Sequence, residues 1–167
     1  RRCGEALDHL VRVLDRTPAN DEALRGLTGL VGGSIDAAHL LEVADSAVIR
    51  APSCARGHAV LGYLRLKIAS DPGGALHAFD AAIALGGGDA DTHGNRGIAL
   101  QDLGRVDEAL AAYDAALSLA PSNPVIRWHR ALALLLLGRY EEGWADYDLR
   151  LLSADRPTRE FPQRRWS

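Results

Sequence analysis

The residues best equipped for chemistry are six histidines, two cysteines and a few carboxylate pairs, and their spacing assembles no reaction centre. His58 and His93 stand 35 residues apart. Neither has a Cys, His or carboxylate three or four residues further on, the spacing that places two metal ligands on one helix face. His9, His39 and His77 share no pattern. Asp107–Glu108 and Glu141–Glu142 begin helical stretches, where negative charge favours the helix dipole. Gly32-Gly33-Ser34 and Gly86-Gly87-Gly88 follow no strand and precede no Gly-Lys-Ser/Thr, so they read as turns and not as phosphate cradles. Cys3 and Cys54 are too few for a disulfide framework or a zinc site and read as reduced thiols of a cytoplasmic protein. The expectation is a chain with no catalytic residue, no metal and no cofactor.

Composition agrees. Among 167 residues, 47% are apolar and 25% charged, which excludes intrinsic disorder as the general state. A net charge of −3 and a pI near 6.1 offer no general basic surface for nucleic acid or an anionic membrane. No uncharged apolar run approaches the roughly 18 residues of a membrane span. The sequence opens at Arg1 and has no Met, so it reads as a piece of a longer protein; 18 Arg against the single Lys67 point to a GC-rich bacterial genome.

The elements that position these residues come from a repeat. Residues 107–123 (DEALAAYDAALSLAPSN) overlay 73–89 (GGALHAFDAAIALGGGD), matching Ala109 with Ala75, Tyr113 with Phe79 and Ala116 with Ala82. One small slot runs Ala6, Leu40, Ala75, Ala109, Gly143, at spacings of 34, 35, 34 and 34. Each period holds two helical patterns. In 90–123 the first begins at a capping Asp89 or Asp91 and runs to about Leu103, and Gly104-Arg105 turns the chain. From Asp107 the second buries Ala109, Leu110, Tyr113, Ala116 and Leu117 on one face, until Pro121 ends it. The units fall at about 1–20 (partial), 21–54, 55–89, 90–123 and 124–152, with 153–167 an extended linker or cap. The unit 21–54 is degenerate: four glycines crowd its first helix and Leu40 fills the small slot. The unit 55–89 has one extra residue, expected in the turn Ser70–Gly74.

A helix pair of about 34 residues carrying Gly97, Leu103, Gly104, Ala109, Tyr113, Ala116 and Pro121 in this order resembles the tetratricopeptide repeat. That resemblance implies an all-α, right-handed superhelical solenoid of antiparallel helix pairs, about four units plus an N-terminal partial one. It also implies a peptide- or protein-binding groove lined by first helices. In the related repeat arrays of O-linked N-acetylglucosamine transferases, Asn in the slot of Asn95 bonds the backbone of a bound peptide. Here that slot holds Val60, Asn95 and His129, so such a ladder is partial, and Asn95 is either a groove residue or an ordinary solvated one. Tyr63, Lys67, Asp102 and Leu132 project near the same wall by helical spacing.

Six of the nine aromatic residues fall between Trp128 and Trp166. Tyr140, Trp144, Tyr147 and Leu151 form one helical stripe, followed by a Pro-broken segment with Phe161 and Trp166. From Arg150 onward five Arg against two acids give +3, leaving −6 for the repeats. The sequences 138–150 and 161–166 resemble the junction of bacterial proteins that join these repeats to a glycosyltransferase domain, some of which modify flagellin. The resemblance implies acceptor recruitment by the repeats, and docking of a downstream domain on Trp144, Tyr147, Leu151, Phe161 and Trp166. The alternatives are capping of the last unit by these aromatics, a general assembly scaffold or chaperone adaptor with no attached enzyme, and a homo-oligomer formed by end-to-end stacking.

Overall fold

A computed structural model describes residues 2–33 and 36–148. Those residues form nine α-helices and no strand: α1 (Arg2–Arg16), α2 (Asp21–Gly29), α3 (Ala37–Arg50), α4 (Ala55–Leu64), α5 (Pro72–Ala84), α6 (Ala90–Asp102), α7 (Val106–Leu119), α8 (Pro124–Leu136) and α9 (Tyr140–Asp148). Local chemistry sets their ends. Asn20, Asp36, Asp71, Asp89 and Asn123 each accept a hydrogen bond from a backbone N–H of the first helical turn, satisfying donors the helix itself leaves unpaired. Gly86, Gly104 and Gly138 follow helix ends at φ +84°, +74° and +75°, a left-handed turn that only glycine makes without strain.

Helices pair as antiparallel hairpins, α4 with α5, α6 with α7 and α8 with α9, and each hairpin packs on the next to make a helical solenoid. The core is made of small residues facing rings. Phe79 and Tyr113 are fully buried. A methyl on Gly62 would lie 2.8 Å from Phe79, and one on Gly97 only 2.4 Å from Tyr113, so each glycine vacates the space its partner helix fills with an aromatic ring. The Tyr113 hydroxyl donates to Gln101 Oε1 at 3.0 Å, which satisfies its one polar atom. In the last unit Ala131 takes the glycine's place, and Tyr147 is only half-buried.

Units are also joined by charge. Arg96 of α6 bonds Asp80 of α5 at 2.6 Å, and Arg130 of α8 bonds Asp114 of α7 at 2.6 Å, the same Asp-to-Arg step of sixteen residues one period apart. Arg130 also pairs with Asp146 of α9, so one guanidinium holds three helices. These pairs are partly exposed, and each contributes at most about 1 kcal/mol.

Four expectations change. The extra residue of 55–89 is not in the turn: it widens the end of the first helix into a π-turn, Arg65–Ala69, closed by Ser70 at φ +50°. Pro72 at the first position of α5 explains why, since proline favours a helix start there and draws Gly73 and Gly74 into helix. In the degenerate unit α2 rests mainly on α1 and α4 and barely meets α3. Ala6 is exposed, with no described helix over it, while Leu7 is buried beside it. On α7 the buried face is Ala109, Leu110, Ala112, Tyr113 and Ala116, with Leu117 only partly covered.

Gly97→Ala should destabilise the protein by about 1–3 kcal/mol, the usual range for overpacking. Urea unfolding checks this, and Tyr113→Leu in the same background should return part of the loss; full additivity of the two changes would contradict the interlock.

Candidate functional site

The first helices α4, α6 and α8 lie side by side on one wall, and two depressions mark the seams between them. The α4–α6 seam encloses about 260 Å³, with Arg25, Arg56, Tyr63, Asp89, Asp91 and Asn95 among its lining. The α6–α8 seam encloses about 180 Å³ between Asp91, Asn95, Ile98, Val125, Ile126 and His129. Asp91 and Asn95 border both because they stand four residues apart on one face of α6, which forms the ridge between the seams. Asn95 is half-buried, and its side-chain amide makes no hydrogen bond among the described residues. An amide so placed offers a donor and an acceptor to whatever enters either depression.

The equivalent slots divide as their chemistry dictates. Val60 is 4% exposed and contributes only an apolar floor to the first depression. His129 stands in the second, its ring stacked on Tyr113 at 6.0 Å and edge-on to Trp128 at 4.7 Å. Burial holds the His129 imidazole below its ordinary pKa, the Lys67 ammonium adds to the effect, and Asp102 opposes it. Lys67, Asp102 and His129 are therefore within electrostatic reach although they come from three successive first-helix segments. Tyr63 lines the first depression. Leu132, one turn beyond His129, is half-buried and lines neither depression.

At the helix N-terminal edge Arg56 reaches Asp21 at 3.0 Å and Asp89 at 3.4 Å, tying α2, α4 and α6 in one row. Burial pushes the Asp89 carboxyl up, but hydrogen bonds from the Thr92 hydroxyl and backbone N–H, with Arg56, outweigh it and hold the group below the usual range. Sequence reasoning missed Arg25, Arg56, Asp91, Ile98 and Val125. Asp91 was within reach of it, being one helical turn before Asn95, and adding the repeat period to Arg56 leads to Asp91 and then Val125.

The other chemistry-bearing residues serve the scaffold. His58 Nε2 lies 2.9 Å from the Pro52 carbonyl, and two periods on, Arg127 Nε donates to the Pro121 carbonyl at 2.8 Å. Glu108 and Glu142 chelate Arg105 and Arg139 at the starts of α7 and α9, with both carboxylate oxygens between 2.7 and 2.9 Å from guanidinium nitrogens. Cys54 caps α4, its Sγ accepting from the Gly57 N–H at 3.4 Å. On α9, Tyr140 and Trp144 are exposed, and Trp144 meets Tyr147 edge-on at 5.4 Å. Leu151, Phe161 and Trp166 lie outside the described residues. No helix among the described residues is long and apolar enough to cross a membrane.

The folded protein takes up a proton on His129 less readily than the unfolded chain does. Its contribution to stability is therefore complete above the ordinary histidine range and is lost as pH falls through that range toward the lower folded value. His129→Gln should flatten the decline in Tm between about pH 7 and pH 5; an unchanged decline in calorimetric scans would count against this placement of the ring.

Comparison with known proteins places this geometry. The tetratricopeptide-repeat family model matches residues 90–123. A search of curated proteins finds no match. Among solved structures, a thermophilic tetratricopeptide-repeat protein of Thermus thermophilus is 28% identical, with 92% of this chain and 84% of that one covered at a TM-score of 0.68. MamA is 23% identical, with 87% and 85% covered at 0.70. YrrB, described as having an unusual peptide-binding site, is 16% identical, with 87% and 74% covered at 0.70. Residues 90–123 are thus a tetratricopeptide repeat, and the described chain has the helical-solenoid fold of tetratricopeptide-repeat proteins.

Proposed function

We propose that the chain is a polypeptide-binding module whose ligand runs across the first-helix wall, over the two depressions that Asn95 separates. The observation that carries this reading is the free amide of Asn95, half-buried between the seams with no internal partner among the described residues. Such an amide can bond a passing backbone whatever the ligand's side chains are. Tyr63, Lys67, Asp102, His129 and Leu132 complete the wall around it. YrrB, which shares the fold, is described as having a peptide-binding site, and that supports a peptide as the class of ligand.

The finer reading is that these repeats recruit the acceptor for a glycosyltransferase-like protein. It draws on the resemblance of 138–150 and 161–166 to the junction in such proteins. Exposed Tyr140 and Trp144, at 63% and 53%, support a covering partner on α9, which in this reading is a downstream domain docking with Tyr147, Leu151, Phe161 and Trp166. The same exposed aromatics favour end-to-end stacking of copies as a second reading. The chain itself carries no assigned catalytic residue in either.

Immobilised flagellin, taken as the trial acceptor, should retain the purified chain. Asn95→Ala with His129→Ala should weaken that binding about tenfold, the loss of one to two hydrogen bonds. Binding of the acceptor with undiminished affinity by the double variant would remove the groove assignment. Sedimentation at rising concentration addresses stacking: a Trp144→Ser-sensitive dimer supports it, and a persistent monomer excludes it.

A further inference from the structure

The two outer rows of the first-helix wall differ from helix to helix in a way the scaffold does not require. One row holds Arg56, Asp91 and Val125 on α4, α6 and α8, and the other holds Lys67, Asp102 and Leu136. Arg56 is neutralised by Asp21 and Asp89. Asp91 and Asp102 are exposed, and among the described residues neither has a cationic nitrogen within 4 Å. Asp102 is also the last residue of α6, where the helix dipole presents negative charge and disfavours a carboxylate. Among the described residues Asp102 has no ion-pair partner: it acts on Tyr113 and His129 only through space, with Lys67 the opposing charge at His129. Beside this acidic ridge, Val125 and Leu136 are 61% and 66% exposed, one at each end of the inner face of α8. Val125 borders the α6–α8 depression, which is walled by Ile98, Ile126 and the Tyr113 ring, with Asp91 at its rim. Apolar walls under a carboxylate rim suit a side chain with an aliphatic stem and a cationic head.

Resting on the groove reading above, we propose that the α6–α8 part of the wall selects polypeptide segments in which Arg or Lys alternates with large apolar residues. The basic heads pair with Asp91 and Asp102 while the apolar side chains cover Val125 and Leu136. Charge complementarity chooses this occupant over an acidic peptide: among the described residues the charged groups of α6 without an ion-pair partner are both carboxylates. Of the basic groups in the same two rows, Arg56 is already paired, while Lys67, in the π-turn Arg65–Ala69, is the one countercharge. Lys67 is the countercharge that weakens the preference, so removing it strengthens binding of a basic ligand.

Three labelled twelve-residue peptides test this against the intact chain by fluorescence anisotropy: one repeating Arg-Ser-Leu, one with Glu for every Arg, and one with Ser for every Arg. The Arg peptide should bind about tenfold or more tighter than the Glu peptide, and less tightly as salt rises. Asp91→Asn with Asp102→Asn should abolish that discrimination, Lys67→Ala should enlarge it, and Val125→Ser with Leu136→Ser should weaken the Arg and Ser peptides alike. Circular dichroism confirms that each variant remains helical. Equal or tighter binding of the Glu peptide, indifference to the double Asn substitution, or binding of none of the three overturns the inference. Dimerisation of the chain that Val125→Ser and Leu136→Ser abolish, with no peptide bound, overturns it as well. If the Glu peptide binds instead and Asn95→Ala weakens it, the groove reading stands and only the charge preference fails.

Discussion

The seat of an aromatic ring on a glycine fixes the geometry of this protein. Tyr113 on Gly97 and Phe79 on Gly62 bring two helices close enough that a single added methyl would meet the ring well inside contact distance. Helix separation within a hairpin is then set by ring thickness, and the small residues Ala82 and Ala116, both fully buried, set the approach of the next hairpin. Interiors packed in this way resist change by even one methylene. The wall of first helices inherits its spacing from that interlock, and so do the two seams beside Asn95.

Charge plays a different part at each depth. Pairs such as Asp80–Arg96 and Asp114–Arg130 recur with the repeat and join successive hairpins, adding modestly to apolar packing. Arg56 links three helix N-termini along one edge. The charges of the inner wall follow no such internal logic. Asp91, Asp102 and Lys67 vary from unit to unit at equivalent positions, while the residues beneath them hold to the repeat. A scaffold that repeats underneath and varies on top separates stability from recognition, because the side chains that face solvent can change without disturbing the interlock.

The π-turn at Arg65–Ala69 shows how the solenoid accommodates irregularity. One residue more than the neighbouring unit has between glycine slot and small slot must go somewhere. Pro72 begins α5 early, so the surplus widens the preceding helix and leaves the turn short. Ser70 takes a left-handed conformation to complete the reversal. The register of Gly62 against Phe79 survives, which is the contact that matters to the stack.

The period of 34 or 35 residues, the glycine and aromatic slots, and Asp89 as one of two capping candidates were legible in the sequence. Such features act over one turn or recur in phase, and they specify hairpins that can bury their faces only on one another. Asn95 and His129 could likewise be marked by slot, and so could the aromatic stripe on α9. What the sequence left open was where separate helices bring their side chains together: that Asn95 divides two depressions, that Lys67 and Asp102 converge on His129, that the surplus residue enters a helix, and that α2 leans on α4. Those outcomes depend on the angle and distance between helices far apart in the chain. Summed packing of many side chains sets these, and no local pattern encodes them.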